Sequence, residues 1–245
     1  NWQDFPDTFG ILDNAELNLK EYSSDSPLFI AELQAGWFDK WGGPGYEKIK
    51  KLFGRQHINI VTKTALSQGI TMFNHFMGCG GTSWGNIGCA EVYSSYDFAA
   101  PVSEDGLLNE NYYKAKEINY FLQGFNLSST DLVKQEDFIL EEQTEKIFAK
   151  LRHDNINNCK WLFIRNLNHD KKNLKVLSDY NLNLKAFDMK ILPVDLNLLG
   201  CKIDFSTLSI FGKLQKNNYE TVFIILDENG ELFISDYQDI ESLNG

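Results

Sequence analysis

A short apolar run, Leu28-Phe29-Ile30-Ala31, opens after Pro27 and ends on the carboxylate of Glu32, with Gly36 soon after. It is too short for an amphipathic surface helix and is bounded by residues that break regular structure, so it reads as a core strand. No other stretch constrains the fold as much, because this one sets a charged group at the tip of a buried element. Two indoles, Trp37 and Trp41, and the turn Gly42-Gly43 follow at once. A glutamate in such a place ordinarily caps the next helix. Here the aromatic residues and a second motif downstream favour a site instead, since the C-terminal tip of a parallel strand is where barrel folds present reactive groups.

The pattern after this strand alternates. Ile49, Leu52, Phe53, Ile58, Ile60, Val61 and Leu66 recur broadly at helical steps, with Pro44-Gly45 as a start and Gly69 as a stop. A second strand is predicted from about Ile70 to Met77, running into Gly78-Cys79-Gly80-Gly81-Thr82. After an irregular stretch, Tyr112, Tyr113, Ala115, Lys116, Ile118, Asn119 and Leu122 predict a second helix that closes at Gly124. Strand, helix, strand, helix means βα units with parallel strands. A closed (β/α)8 barrel needs roughly 250 residues by itself, and this α/β part uses only about half of the 245 available.

Beyond Leu127 the character changes. Ser128–Arg152 is charged and mixed and is expected to be partly helical. From Trp161 onward short strand-like runs follow: Trp161–Arg165, Leu182–Phe187, Lys202–Ile210, Thr221–Leu226 and Leu232–Ser235, the last two joined by the turn Asp227-Glu228-Asn229-Gly230. Asn155–Lys160 and Lys171-Lys172-Asn173 read as surface loops. The expected organisation is an α/β part over residues 1–125 and a small antiparallel β domain over residues 126–245.

Composition narrows the function. A net charge of −11 and a pI near 4.8 argue against a phosphate-tracking nucleic-acid binder, so no nucleic-acid partner is expected. No segment reaches the ~18 consecutive apolar residues of a membrane span, so no membrane partner is expected either. The four cysteines, Cys79, Cys89, Cys159 and Cys201, form no CxxC pair and have no His at ligand spacing, so no metal or other cofactor is expected. Cys79 and Cys89 flank one glycine-rich loop and would pair in an oxidising compartment or stay as thiols in a reducing one. The glycines lack both the GxGxxG pattern and a following Lys-Ser/Thr, so they do not make a phosphate cradle. His57, His75, His153 and His169 are scattered, and no Ser-His-Asp grouping stands at a recognisable spacing.

Three motifs occur in order: Glu32 with Gly36-Trp37, Asp39 and Trp41-Gly42; Gly80-Gly81-Thr82-Ser83-Trp84-Gly85; and Ser94-Ser95-Tyr96-Asp97-Phe98-Ala99-Ala100-Pro101-Val102-Ser103-Glu104-Asp105-Gly106. Together they resemble glycoside hydrolase family 35, the β-galactosidases, at the end of the seventh barrel strand, the end of the eighth, and the loop after it. The later runs Trp161–Asn166, Asp204-Phe205-Ser206-Thr207 and Thr221–Leu226 are similar, more loosely, to the β domain that follows the barrel in fungal-type members. The fold class this implies is the C-terminal part of a TIM (β/α)8 barrel followed by a small antiparallel β domain.

The resemblance implies retaining hydrolysis of terminal β-galactosides, with Glu32 as the nucleophile and Tyr96, Trp37, Trp41, Trp84 and the position of Phe76 around the sugar. In such enzymes a second carboxyl group, ~5–5.5 Å away, acts as acid and then as base. Two departures stand out. Phe76 and Phe98 occupy positions where the family carries tyrosines. No Asn-Glu pair precedes Glu32, and Asn109-Glu110 falls after the last barrel strand, at a helix start. The chain is therefore expected to be a fragment lacking the acid/base half, weakly active or inactive alone, with a galactoside substrate and an N-terminal polypeptide completing the barrel. Asp97 and Glu104 are expected to hold their loop rather than act chemically. The rival expectation is a non-catalytic carbohydrate-binding or degenerate relative. The resemblance also favours a secreted or vacuolar compartment, in keeping with the single sequon Asn126-Leu127-Ser128.

Overall fold

The first predicted strand forms and runs slightly longer than expected, as β1, Leu28–Gln34. The computed structural model describes residues 26–52, 54–88, 93–127, 146–177, 180–198, 200–216, 219–225 and 230–235, with Asn18, residues 21–23 and Leu140. Cys89, the turn residues Asp227 to Asn229, and most of the stretches 1–25 and 128–145 lie outside them. The chain divides into two compact units, residues 1–119 and 120–245.

In the first unit, β1 is followed by α1, Tyr46–Leu52, α2, Arg55–Ser67, and β2, Ile70–Phe76. The single helix expected from Tyr46 is therefore two, broken before Arg55 at Gly54, whose backbone is not helical. Its predicted end holds: Gly69 has φ +80°, the left-handed conformation that terminates helices. The two strands pair in parallel, as the alternation requires. Leu28, Leu33, Ile49, Ile58, Ile60, Val61, Ala65, Leu66 and Ile70 are all buried, which places the core of the unit between α2 and the strand pair. Short strands β3, Gly81–Thr82, and β4, Ser95–Tyr96, pair antiparallel, and α3, Glu110–Phe125, follows. Gly124 lies inside α3 and does not close it. A Cβ at Gly124 would stand 2.7 Å from the Lys213 amide nitrogen, so this glycine admits a strand against the helix.

The second unit carries a five-stranded antiparallel sheet. Its strands are β5, Ile147–Asp154; β6, Cys159–Asn166; β9, Asp188–Leu198; β10, Cys201–Ser206; and β13, Leu232–Ser235. Two hairpins accompany it: β7, Lys172–Val176, with β8, Tyr180–Leu184, and β11, Ser209–Lys216, with β12, Tyr219–Ile225. Leu174, Val176, Leu182 and Leu184 of the first hairpin share one core with Leu151, Leu162, Ile164, Leu192 and Phe205 of the sheet. On β6, Trp161 meets the rings of Phe121 and Phe125 at 5.0 and 4.9 Å.

Several expectations change here. The end of the stretch expected to be partly helical is β5. The sheet accommodates it: Asp154, 1% exposed, accepts the Trp161 indole N–H of β6 at 2.9 Å, and the Phe148 ring lies 4.8 Å under the Arg165 guanidinium of β6. Lys172 and Asn173 begin a strand because alternate residues after them, Leu174 and Val176, point inward. The run Lys202–Ile210 divides at Ser206, whose hydroxyl exchanges hydrogen bonds with the Leu208 backbone and turns the chain. Whole, the described chain is β-rich with few helices.

Candidate functional site

Glu32 sits in a β-bulge. Ile30 pairs with Phe73 and Leu33 with His75, so Ala31 and Glu32 together face one residue of β2. A bulge of this kind re-aims a side chain, and both residues are exposed, between a half-buried Ile30 and a buried Leu33. The strand therefore does not end at Glu32 as expected. It continues through Leu33 and Gln34, and Gln34 is the register partner of Phe76.

The other two motifs fold onto each other. Gly81 pairs with Tyr96 and Thr82 with Ser95. The carboxylate of Glu104 accepts hydrogen bonds from the Thr82 and Ser95 hydroxyls, both at 2.8 Å, and so fastens the two strands. Asp97, 4% exposed, accepts from the Ala99 and Glu104 amides at 3.1 and 3.0 Å. The Lys50 ammonium of α1 lies 3.5 Å from Asp97 and donates to Ser103 at 3.1 Å. Asp97 thus holds its loop through backbone bonds, as expected. Glu104 does so through hydroxyls.

This doubled loop packs against the segment that follows β1. The Trp37 amide donates to the Phe98 carbonyl at 2.8 Å. Gly36 is fully enclosed there, and a Cβ would collide with the carbonyl oxygens of Phe98 and Ala99, the latter at 2.6 Å. Phe98 becomes the centre of an aromatic cluster. Its ring lies 5.3 Å from Phe76, 5.9 Å from Tyr96 in a stacked arrangement, and 6.3 Å from Trp37, which itself stacks on Phe38 at 5.1 Å. The cluster thus joins Trp37 of the first motif, Phe76 of β2 and Tyr96 of the third motif. Trp41 and Trp84 stand apart from Phe98. Trp41, 64% exposed, packs edge-on against Tyr93 at 5.6 Å, and Trp84, 91% exposed, rides on the short turn Trp84–Asn86.

The acids near these motifs differ in what engages them. Asp39, buried, accepts from the Tyr93 hydroxyl and from the Gly45 amide. That bond pushes the Tyr93 phenol up to about 12. Glu110 is 74% exposed and pairs with Arg55 at 4.0 Å, while Asn109 donates to Ala100 and Ser103, so the Asn-Glu pair is structural. Among the described residues, Glu32 makes no hydrogen bond or ion pair. Its carboxylate is exposed on the strand whose later residue Gln34 pairs with Phe76 of the aromatic cluster. His75 faces α2, with its Nε2 3.3 Å from the Thr62 hydroxyl, and burial lowers its pKa to about 4, which makes it a neutral core residue at pH 7. No group of His, Cys, Asp and Glu among the described residues is arranged to hold a metal. Cys79, Cys159 and Cys201 are free thiols.

Sequence reasoning missed Tyr93, Lys50 and Asn111 as parts of this framework. Only their spacing across the fold marks them, since Lys50 and Asn111 sit in ordinary helical contexts.

The stretch holding all three motifs matches a known family. Residues 3–121 match the model of glycosyl hydrolases family 35. The chain is 28% identical to Beta-galactosidase A of Aspergillus oryzae over 242 residues, covering 92% of this chain and 24% of that one. It is 29% identical over 242 residues to Probable beta-galactosidase A of Aspergillus fumigatus, again covering 24% of that protein. Probable beta-galactosidase C of Neosartorya fischeri is 32% identical over 115 residues, 47% of this chain and 11% of its own length. The chain therefore spans about a quarter of the length of the first two.

Proposed function

We propose that these residues form the nucleophile-bearing part of a retaining β-galactosidase, with Glu32 attacking the anomeric carbon of a terminal β-galactoside. The observation that carries this reading is the carboxylate of Glu32: exposed at a bulge, unengaged among the described residues, on a strand whose end packs against an aromatic cluster. Tyr96, Trp37 and Phe76 meet around Phe98 and offer the face against which a pyranose ring would lie, while Trp41 and Trp84, expected there from the resemblance, stand apart from it. Glu32 would form a covalent galactosyl ester and a second carboxyl group would supply and recover the proton.

In this reading residues 1–125 are the C-terminal portion of a (β/α)8 barrel and residues 126–245 the β domain after it. The proton donor and the missing barrel strands then come from a further polypeptide segment. The parallel strand pair supports this. Parallel sheets are normally covered on both faces, yet Phe29 and Met72 are 48% and 46% exposed.

The test is mechanism-based labelling. A 2-deoxy-2-fluoro-β-galactosyl donor with an activated leaving group does not need a general acid. Mass spectrometry should find the label on the peptide containing Glu32, and Glu32→Gln should take none. Sugar binding without a label would favour the rival reading, a carbohydrate-binding relative without catalysis. That reading draws on Phe76, where the family carries a tyrosine, and on the lack of an acid/base glutamate among the described residues.

A further inference from the structure

The side chain of Asn111 reaches from α3 into the seam between the loop after β1 and the loop after β4. It is 1% exposed. Its amide donates to the Ala35 carbonyl at 2.8 Å and to the Ala99 carbonyl at 3.0 Å. Ala35 directly follows β1, the strand of Glu32, and Ala99 directly follows Phe98. The same seam is closed by the Trp37 amide bond to Phe98 and by the absent side chain of Gly36. The spacing between the Glu32 strand and the Tyr96 loop is thus set by backbone contact and by one side chain that bridges both.

Few groups can do this. A carboxamide is the short uncharged side chain that offers two N–H donors in one plane. Serine offers a single donor, and a carboxylate would set its oxygens against two carbonyls. The Asn111 carbonyl oxygen is buried without a hydrogen-bond partner among the described residues. A buried acceptor left unmade is disfavoured, so the residue is explained by its donors rather than by the whole amide.

We propose that Asn111 is a positioning residue, which fixes Glu32 relative to the shelf of Tyr96 and Phe98 by holding the Ala35 and Ala99 carbonyls on one amide. This rests on Glu32 as the nucleophile. The experiment follows the time course of Glu32 labelling by 2-deoxy-2-fluoro-β-galactosyl fluoride on the full chain, as a function of reagent concentration. Misplacing a reacting group by about an ångström costs ~10- to 100-fold in rate. The limiting rate should fall by that amount in Asn111→Leu and by less in Asn111→Ser. The half-saturating concentration should stay within about twofold, since substrate binding is untouched. Circular dichroism melts on the same samples give the folded fraction. Should Asn111→Leu fail to fold, Asn111→Ser carries the comparison, with Gly36→Ala pressing the same seam from the other side. Limiting rates equal to the parent, or falling only in proportion to the folded fraction, overturn the proposal. A parent chain that takes no label on Glu32 removes the nucleophile reading and this one together. A labelled parent with unchanged variants removes this one alone.

Discussion

At the scale of single residues, the acids of this chain are sorted by what they bond to, and their sequence context gives little of this away. Asp39, Asp97, Glu104 and Asp154 all build loops, whereas Glu32 is left open. Asp154 shows how much such a hub holds. It accepts from the amides of Ile156 and Asn157, both at 3.0 Å, from the Asn157 side chain at 2.6 Å and from the Trp161 indole at 2.9 Å. Asp154→Ala strands the buried Trp161 indole N–H, a cost of roughly 1–3 kcal/mol, and removes three part-buried bonds to the same carboxylate. Urea unfolding of the second unit should therefore show a loss of about 2–4 kcal/mol. A loss within about 0.5 kcal/mol, the scale of a surface substitution, would show that the network contributes little. The nearby Cys159 thiol is pushed above its ordinary range by burial first and by the Asp154 charge next, so it should resist alkylation in the folded protein.

At the scale of elements, α2 and the strand pair store a pH dependence. His57, 6% exposed, has its pKa lowered from 6.5 to about 4 by burial, with the Gln34 backbone opposing weakly. His75 is lowered to about 4 for the same reason. Between those values the unfolded chain binds protons that the folded chain refuses, so stability rises with pH. The contribution is complete above about pH 6.5 and is lost as the pH falls toward 4. For His57 alone the span corresponds to about 3 kcal/mol, and half-buried His75 adds less. Urea midpoints of the first unit should fall steadily from pH 7 to pH 4.5, and His57→Gln should flatten that slope. A midpoint that holds constant over this range would mean that neither ring stays neutral in the fold. Neither histidine serves the candidate site, and nothing in their scattered spacing could have said so. His57 on α2 and His75 on β2 lose water where helix and strand pair meet, which is a property of packing.

At the scale of the whole molecule, the two units answer different questions. The first carries the three motifs and an apolar strand face with Phe29 and Met72 exposed. The second carries a sheet with a core of its own. Under the proposed function the chain alone should hydrolyse a chromogenic β-galactoside poorly, because a nucleophile without its proton donor loses most of the rate. Adding a polypeptide that bears the preceding six βα units should raise that activity and reduce dye binding to the exposed strand face. Full activity from the isolated chain would refute the missing-acid argument.

How much could be read beforehand follows the range of the interactions. Leu232–Ser235 was legible to the residue, because a short apolar run after a turn is a local signal. So were the parallel pairing of the first two strands and the end of α2 at Gly69. Strand β5 was not. Lys150, Arg152 and Asp154 disguise it, and only the fold brings the Trp161 indole of β6 onto Asp154. Gly124 looked like a helix stop until the approach of Lys213 gave it another reason. The sequence alone determined the motif order, the strand that bears Glu32 and the two-part organisation, because short-range apolar periodicity and turn residues encode them. Only the tertiary structure decided that a bulge turns Glu32 outward, that Phe98 gathers Trp37, Phe76 and Tyr96, and that Asn111 joins two loops. Each of these depends on backbone atoms brought together from distant parts of the chain, and no local pattern records such distances.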